Sequence, residues 1–444
     1  REDKQKLLNS LFVWCYAWGM GGALDQFGKE RLDDVIKDVF KSVKIPNANT
    51  VFDYFYDASK KESAFIPWND KVPAFEYDNT LPYFQLMVPT IDTYRYSYLL
   101  ETLYTYSSRP IFFTGVSGVG KSVIIQNLLN DMKEPKGVQT ININFSAQTT
   151  ALRTQQSIED KLEKKKRTLF GAGPGRSIAV FVDDVNMPAV EQYGAQPPIE
   201  LLRLFVDKQG LYDRNDLYWK DVEDTTVICS AAPPGGGRNA VTPRFVRHFN
   251  VFCLPPSSKQ VLQTIFNSIL GGFLKQGFMD VVQKLQEACV DSTIDIYTRI
   301  SEELRPTPAR FHYLFNLRDV SRVIQGILMV KPVSCQSPES FARLWVNEIS
   351  RVFKDRLIDE SDREWFDDNV TELVNSQFRL RVEKSDLFGE TPIMWGDLLK
   401  LDAPVKLYEE ITNKNKLFKQ LETSLEDYNM SHTGKMNLVF FDDC

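Results

Sequence analysis

Gly115-Val-Ser-Gly-Val-Gly-Lys-Ser122 is the stretch from which the fold can be read. It meets the GxxxxGK(S/T) pattern at every fixed position. Gly115, Gly118 and Gly120 let the backbone wrap, so that successive N–H groups from Ser117 through Val119 to Val123 converge on phosphate oxygens. The helix that follows adds the positive potential of its N-terminus. Lys121 would neutralise the β- and γ-phosphates, and the Ser122 hydroxyl would take a place on Mg²⁺. The flanks suit this reading. An apolar strand, Pro110-Ile-Phe-Phe-Thr114, precedes the loop. A helix with Ile124, Ile125, Leu128, Leu129 and Met132 facing inward follows it and stops before Pro135. A Gly-rich turn with an exposed lysine is the plain alternative, and it explains neither flank.

A nucleotide site of this kind also needs an acidic residue at the end of a neighbouring strand. Ile178-Ala-Val-Phe-Val-Asp183-Asp184 supplies two. Asp183 is expected to hold the metal's water shell, and Asp184 takes the position where a family that this strand end resembles, the AAA+ ATPases, usually carries a Glu that orients the attacking water. The plain alternative is a pair of carboxylates capping the next helix. An Asp reaches one methylene less far than a Glu, so binding and hydrolysis are separate expectations.

Composition sets outer limits. The 444 residues include 30 Phe, 17 Tyr and 7 Trp, too aromatic for a disordered chain. A net charge of −6 argues against wholesale nucleic-acid binding. No run reaches the ~18 apolar residues of a bilayer span, so no membrane partner is expected. Six scattered cysteines (Cys15, Cys229, Cys253, Cys289, Cys335, Cys444) and three histidines argue against a zinc site and for reduced thiols. The basic run Lys161-Leu-Glu-Lys-Lys-Lys-Arg167 mixes with Glu and lacks interleaved aromatics, so it reads as a solvated helix end. The chain starts without Met and stops after Val439-Phe-Phe-Asp-Asp-Cys444, which reads as an interrupted strand, so a piece of something longer is expected.

Along the chain, residues 8–43 read as helical, with apolar stripes at Leu8, Leu11, Phe12, Cys15, Trp18, Met20 and at Leu32, Val35, Ile36, Phe40. Residues 46–85, with Pro46, Pro67, Pro73 and Pro82, read as a linker. Strands at Pro110–Thr114, Gln139–Phe145, Ile178–Val182 and Thr225–Ser230 alternate with helical stretches, which argues for a parallel sheet covered on both faces. After Pro255-Pro256 helices are expected at 258–278, 281–304, 316–330, 339–357, 361–376 and 405–428.

Longer motifs make the reading specific. Phe181-Val-Asp-Asp-Val-Asn-Met-Pro188 and Tyr193-Gly-Ala-Gln-Pro-Pro-Ile-Glu-Leu-Leu-Arg203 resemble the third AAA+ module of dynein heavy chains. Pro233-Pro-Gly-Gly-Gly-Arg-Asn239 with Val241-Thr-Pro-Arg-Phe-Val-Arg-His-Phe-Asn250 is similar to the same module of axonemal, especially inner-arm, dyneins. Leu304-Arg-Pro-Thr-Pro-Ala-Arg-Phe-His-Tyr-Leu-Phe-Asn-Leu-Arg-Asp319 and residues 343–357 carry the likeness into the lid. The resemblance implies an α/β P-loop NTPase (AAA+) large subdomain with a parallel sheet, followed by an α-helical lid. It divides the chain into a lid extension of the preceding module with a linker (1–78), the large subdomain (79–256), the lid (257–400) and the start of a fourth module (401–444).

It also implies roles. Val88-Pro89-Thr90 would pack against adenine, and Arg318 would be the lid arginine that reaches a phosphate. Arg244 or Arg247 would be the arginine finger serving the preceding module's nucleotide, and the two stay undecided. The cofactors implied are ATP or ADP with Mg²⁺. The partners implied are neighbouring AAA+ modules, and intermediate chains, light chains and microtubules through the rest of the motor, in the axoneme of a cilium or flagellum. Two departures weaken the case for fast turnover: Asp184 replaces the family's usual Glu, and Ala232 falls where a polar sensor is common. The expected function is therefore an ATP-binding regulatory module of the ATP-driven microtubule motor, with weak or slow hydrolysis as a separate expectation. The alternatives are a structural module that holds its nucleotide permanently, and a midasin-like remodelling ATPase.

Overall fold

The computed structural model describes residues 2–57, 65–107, 109–389, 392–400 and 406–439. The chain forms two compact units, Arg1–Ala74 with Pro89–Ser257, and Phe75–Val88 with Ser258–Cys444.

The first unit opens with helices α1 (Glu2–Gly21) and α2 (Gln26–Val39). The Asp25 carboxylate caps α2 by accepting the Gly28 N–H at 2.8 Å. A hairpin of β1 (Tyr54–Tyr56) and β2 (Phe65–Pro67) follows, with Phe55 opposite Ile66. Next come α3 (Ile91–Tyr106), β3 (Ile111–Thr114), α4 (Lys121–Asp131), β4 (Val138–Asn144) and α5 (Ala151–Glu159). Short strands β5 (Glu163–Lys164) and β6 (Leu169–Gly171) lead to β7 (Ser177–Asp183) and α6 (Pro197–Lys208). The unit closes with β8 (Gly210–Tyr212), β9 (Trp219–Glu223), β10 (Thr225–Ala231), α7 (Pro243–Val246) and β11 (Asn250–Cys253).

The main sheet has the order β11-β3-β10-β7-β4, and every pair is parallel. Its strands alternate between two cores. Ile111, Phe113, Ala179, Phe181 and Ile228 face a layer built from α1–α4 and the β1–β2 hairpin. Phe112, Ile178, Val180, Val182, Val227 and Cys229 face a layer that includes Ile158, Ile199, Leu202 and Phe205. Burial on both sides is why these strands read as unbroken apolar runs. The fifth strand, β11, was not anticipated, because Asn250-Val-Phe-Cys253 is short and begins polar.

Three expectations need correcting. The first helix exists, but Leu8, Phe12 and Met20 are about 60 % exposed, while Val13, Trp14, Ala17 and Trp18 are buried. The two indoles decide the face, since they bury the most area. Trp14 Nε1 donates to the Tyr54 carbonyl at 2.9 Å, and Trp18 meets Phe52 edge-on at 5.2 Å between centroids. The stretch read as a linker is partly core, with Phe52, Tyr54, Tyr56, Phe65 and Trp68 all buried. The basic run is not a helix end. It runs through β5 into a turn, where Lys165 pairs with Glu223 at 3.0 Å and Asp224 at 2.6 Å beside the small sheet β5-β6-β9-β8.

The second unit is helical, with α8 (Lys259–Leu274), α9 (Asp280–Gln283), α10 (Gln286–Glu303), α11 (Leu317–Ile327), α12 (Pro338–Val352), α13 (Glu360–Ser376) and α14 (Lys384–Phe388). Trp345, Phe341, Phe353 and Phe366 fill its core, and Trp345 Nε1 donates to Thr293 Oγ1 at 2.9 Å. Tyr83 shares a hydrogen bond with Ser321 at 2.9 Å, which ties residues 75–88 to these helices. The last helix begins later than expected. Two short strands, β12 (Trp395–Gly396) and β13 (Glu409–Glu410), pair first, and α15 spans Lys414–Ser431. Arg343 clamps Glu410 with two hydrogen bonds of 2.8 and 2.6 Å, so the chain before α15 is extended. Residues 401–405 and 440–444, where a module start and an interrupted strand were expected, lie outside the described residues.

No described helix is long and apolar enough to cross a membrane. Among the described residues no cluster of three or more His, Cys, Asp or Glu could hold a metal. Cys15, Cys229, Cys253, Cys289 and Cys335 are free thiols.

Candidate nucleotide site

The sheet order explains the site. Strand β10 lies between β3 and β7, with Thr114 opposite Ala231 and Val182 opposite Cys229. The loop after β3 and the carboxylates ending β7 therefore emerge at the same edge, one strand apart. In open parallel sheets that edge is where ligands bind.

The loop is built as the motif demands. Gly115, Gly118 and Gly120 have φ of 151°, 91° and 86°. A Cβ on Gly115 would also stand 2.8 Å from the Leu254 carbonyl oxygen. Gly120 is the N-cap of α4 and offers no side-chain cap, so the first N–H groups of α4 are available to an anion. Lys121 is buried, and its ammonium donates to the Gly115 and Val116 carbonyls, both at 2.8 Å. Burial holds its pKa below the usual lysine value, opposed by the charges of Asp184 and Asp183 and aided by Arg238. Ser122 is half-buried at the start of α4, while Ser117, Gly118 and Val123 are exposed.

At the end of β7, Asp183 accepts a hydrogen bond from the Ser230 hydroxyl and another from the Asp184 N–H at 3.1 Å. Asp184 has a φ of 50°, a left-handed conformation that Asp adopts more readily than most residues. Its carboxylate faces the Arg238 Nε at 3.5 Å. An ammonium, a serine hydroxyl, an anion-ready helix start and two carboxylates suit a nucleoside phosphate and its divalent cation. Ser122 and Asp183 are the residues that would hold such a cation, which would supply charge to offset the phosphates.

The match to known proteins follows the same map. The P-loop containing dynein motor region matches residues 75–257, the AAA+ lid domain matches 289–384, and the dynein heavy chain AAA lid domain matches 1–70. This is a dynein heavy-chain sequence. Dynein axonemal heavy chain 6 of Homo sapiens is 41% identical over 442 residues, 98% of this chain. Dynein axonemal heavy chain 1 of Mus musculus is 36% identical over 468 residues, 99% of this chain. The dynein-1-alpha heavy chain of the flagellar inner arm I1 complex of Chlamydomonas reinhardtii is 33% identical over the whole chain. This chain spans about a tenth of the length of these relatives.

The remaining dynein-type residues are placed as follows. Thr90 is buried as the N-cap of α3, where its hydroxyl accepts the Thr93 N–H at 3.2 Å. Val88 is buried in the core of the helical unit, and Pro89 begins the stretch that belongs to the sheet unit. Arg318 is exposed in the first turn of α11, and Asp319 pairs with Arg356 and Arg322 instead of with it. Arg244 lies in α7 and Arg247 caps its end, and both are exposed. Arg247 Nε reaches His248 Nε2 at 3.3 Å beside a cavity of about 390 Å³ that Arg109 and Gln209 also line.

Sequence reasoning missed three residues. Ser230 hydrogen-bonds Asp183, although its position before Ala-Ala232 could have flagged it. Buried Asn186 donates to the Ala232 and Asn239 carbonyls at 2.8 and 3.1 Å, joining the loops after β7 and β10. Arg238, which faces Asp184, carries no signal of its own beyond the Gly-rich motif around it.

Proposed function

We propose that this chain is the third AAA+ module of an axonemal dynein heavy chain of the inner-arm kind, a regulatory site that binds ATP or ADP with Mg²⁺. The observation that carries the reading is the convergence of Lys121, Ser122, Asp183 and Asp184 on one sheet edge. The backbone from Gly115 to Val123 would hold the phosphates, Ser122 and Asp183 the metal, and Val88-Pro89-Thr90 the adenine. Lys121 and Arg318 would bear on the phosphates, and Asp184 would orient water. Arg244 or Arg247 would serve the preceding module. Residues 1–78 would then be the preceding lid with its linker, 79–256 and 257–400 the two subdomains, and 401–444 the next module's start.

In the whole motor, nucleotide state here would bias the neighbouring modules by a change in lid position. Intermediate chains, light chains and microtubules would be engaged elsewhere in the heavy chain, within the axoneme of a cilium or flagellum. A second reading, a nucleotide held without turnover, draws support from the short Asp184 side chain and its pairing with Arg238. Single-turnover hydrolysis by the intact heavy chain, with the first module's Walker lysine replaced, separates the two. Phosphate release above that of a Lys121→Ala companion supports turnover, and equal release leaves a permanent nucleotide.

A further inference from the structure

Arg238 is mounted on a purpose-shaped hairpin. Gly235 and Arg238 exchange both backbone hydrogen bonds, at 3.0 and 3.1 Å, around Gly236 and Gly237. Those two have φ of 57° and 85°, a two-residue turn that suits glycine at both positions. The root of the hairpin is tied to the loop that carries Asp184. Asn239 N–H donates to the Asn186 carbonyl at 3.0 Å, and its Nδ2 donates to the Pro188 carbonyl at 2.9 Å. Asn186, only 1 % exposed, returns two hydrogen bonds to the Ala232 and Asn239 carbonyls.

Guanidinium and carboxylate thus stand on one scaffold. The Arg238 Nε is shielded from solvent with no hydrogen-bond acceptor among the described residues, and it faces Asp184 Oδ1 at 3.5 Å. Arg238 also acts on the P-loop lysine, whose affinity for its proton it lowers.

We propose that Arg238 is a positioning residue that restrains hydrolysis by ion-pairing Asp184, the carboxylate that would orient the attacking water. This rests on the role of Asp184 given above. A carboxylate oxygen engaged by a fixed cation has fewer lone pairs free to accept from water. In the reaction, the water oxygen bonds to the γ-phosphorus and the bond to the β-phosphate oxygen breaks, its electrons staying on ADP. The proton lost by water passes to Asp184 and then to the released phosphate.

The test uses the intact heavy chain with the first module's Walker lysine replaced. It reads single-turnover phosphate release and the affinity for a fluorescent ADP analogue. Arg238→Ala raises the rate about threefold, the scale of a partly exposed ion pair, and leaves affinity within about twofold. Arg238→Lys returns the rate toward the parent. In an Asp184→Asn background Arg238→Ala has no effect, because the carboxylate it restrained is gone. An unchanged or slower rate in Arg238→Ala with binding intact, or a gain that survives in Asp184→Asn, overturns the restraint and leaves the nucleotide site standing. Absence of analogue binding in the parent overturns the phosphate site, and this proposal with it.

Discussion

Lys121 is the residue on which the site turns. Its ammonium is desolvated among loop carbonyls and balanced by two carboxylates. Removing it takes away the cation that phosphates would meet. Lys121→Ala is expected to weaken binding of a fluorescent ATP analogue by at least about a hundredfold, the scale of charge-assisted hydrogen bonds lost together. Unchanged affinity would remove the phosphate assignment. Asp184→Asn should keep nucleotide and slow any hydrolysis. Loss of binding instead would make Asp184 a metal ligand. These residues were legible in the sequence because chain connectivity alone brings them into place: a loop between β3 and α4, and two carboxylates ending an apolar strand. Arg238 was not legible as a partner of Asp184. Their pairing depends on a left-handed turn at Gly236-Gly237 and on hydrogen bonds of Asn186, which no local pattern announces.

At the scale of elements, the β1–β2 hairpin and the turn after it are where sequence and structure part most. Prolines in a turn-rich, aromatic stretch read as a linker, yet Trp68 is fully buried and its Nε1 donates to the Phe52 carbonyl at 3.0 Å. Trp68→Ala should therefore cost the sheet unit ~3–5 kcal/mol in urea unfolding, the range for a large buried aromatic. A loss under about 1 kcal/mol would return the segment to the status of a linker.

Helix α2 docks through a buried cation. Lys29 Nζ donates to the Cys253 carbonyl at 3.0 Å and to the Tyr96 hydroxyl at 3.1 Å, beside the rings of Trp18 and Phe52. Burial lowers its pKa to about 8, helped by Arg95 and opposed by Cys253, Asp92 and Asp25. Below pH 8 the lysine is charged folded and unfolded alike, and its desolvation cost is carried in full. Between about 8 and the ordinary lysine value the folded state sheds its proton first, so stability from this group rises with pH. Relative to Lys29→Met, the parent should gain stability from pH 8 to pH 10 in urea titrations. A difference that stays flat with pH would contradict the shift.

At the scale of the whole molecule, the alternation of strands and helices followed by helices alone was readable, because each layer imposes its own apolar period. The short insert strands β5, β6, β8 and β9, the edge strand β11 and the buried face of α1 were not. They are fixed by tertiary pairing and by the bulk of Trp14 and Trp18. The edge shared by β3, β10 and β7 is proposed as a nucleotide site of a dynein heavy chain. A density map of the intact heavy chain, prepared with Mg²⁺ and a non-hydrolysable ATP analogue, tests it most directly. Phosphates are expected over the backbone from Gly118 to Val123, with a metal held by the Ser122 hydroxyl and Asp183. A map with nucleotide at other P-loops and none here would contradict it.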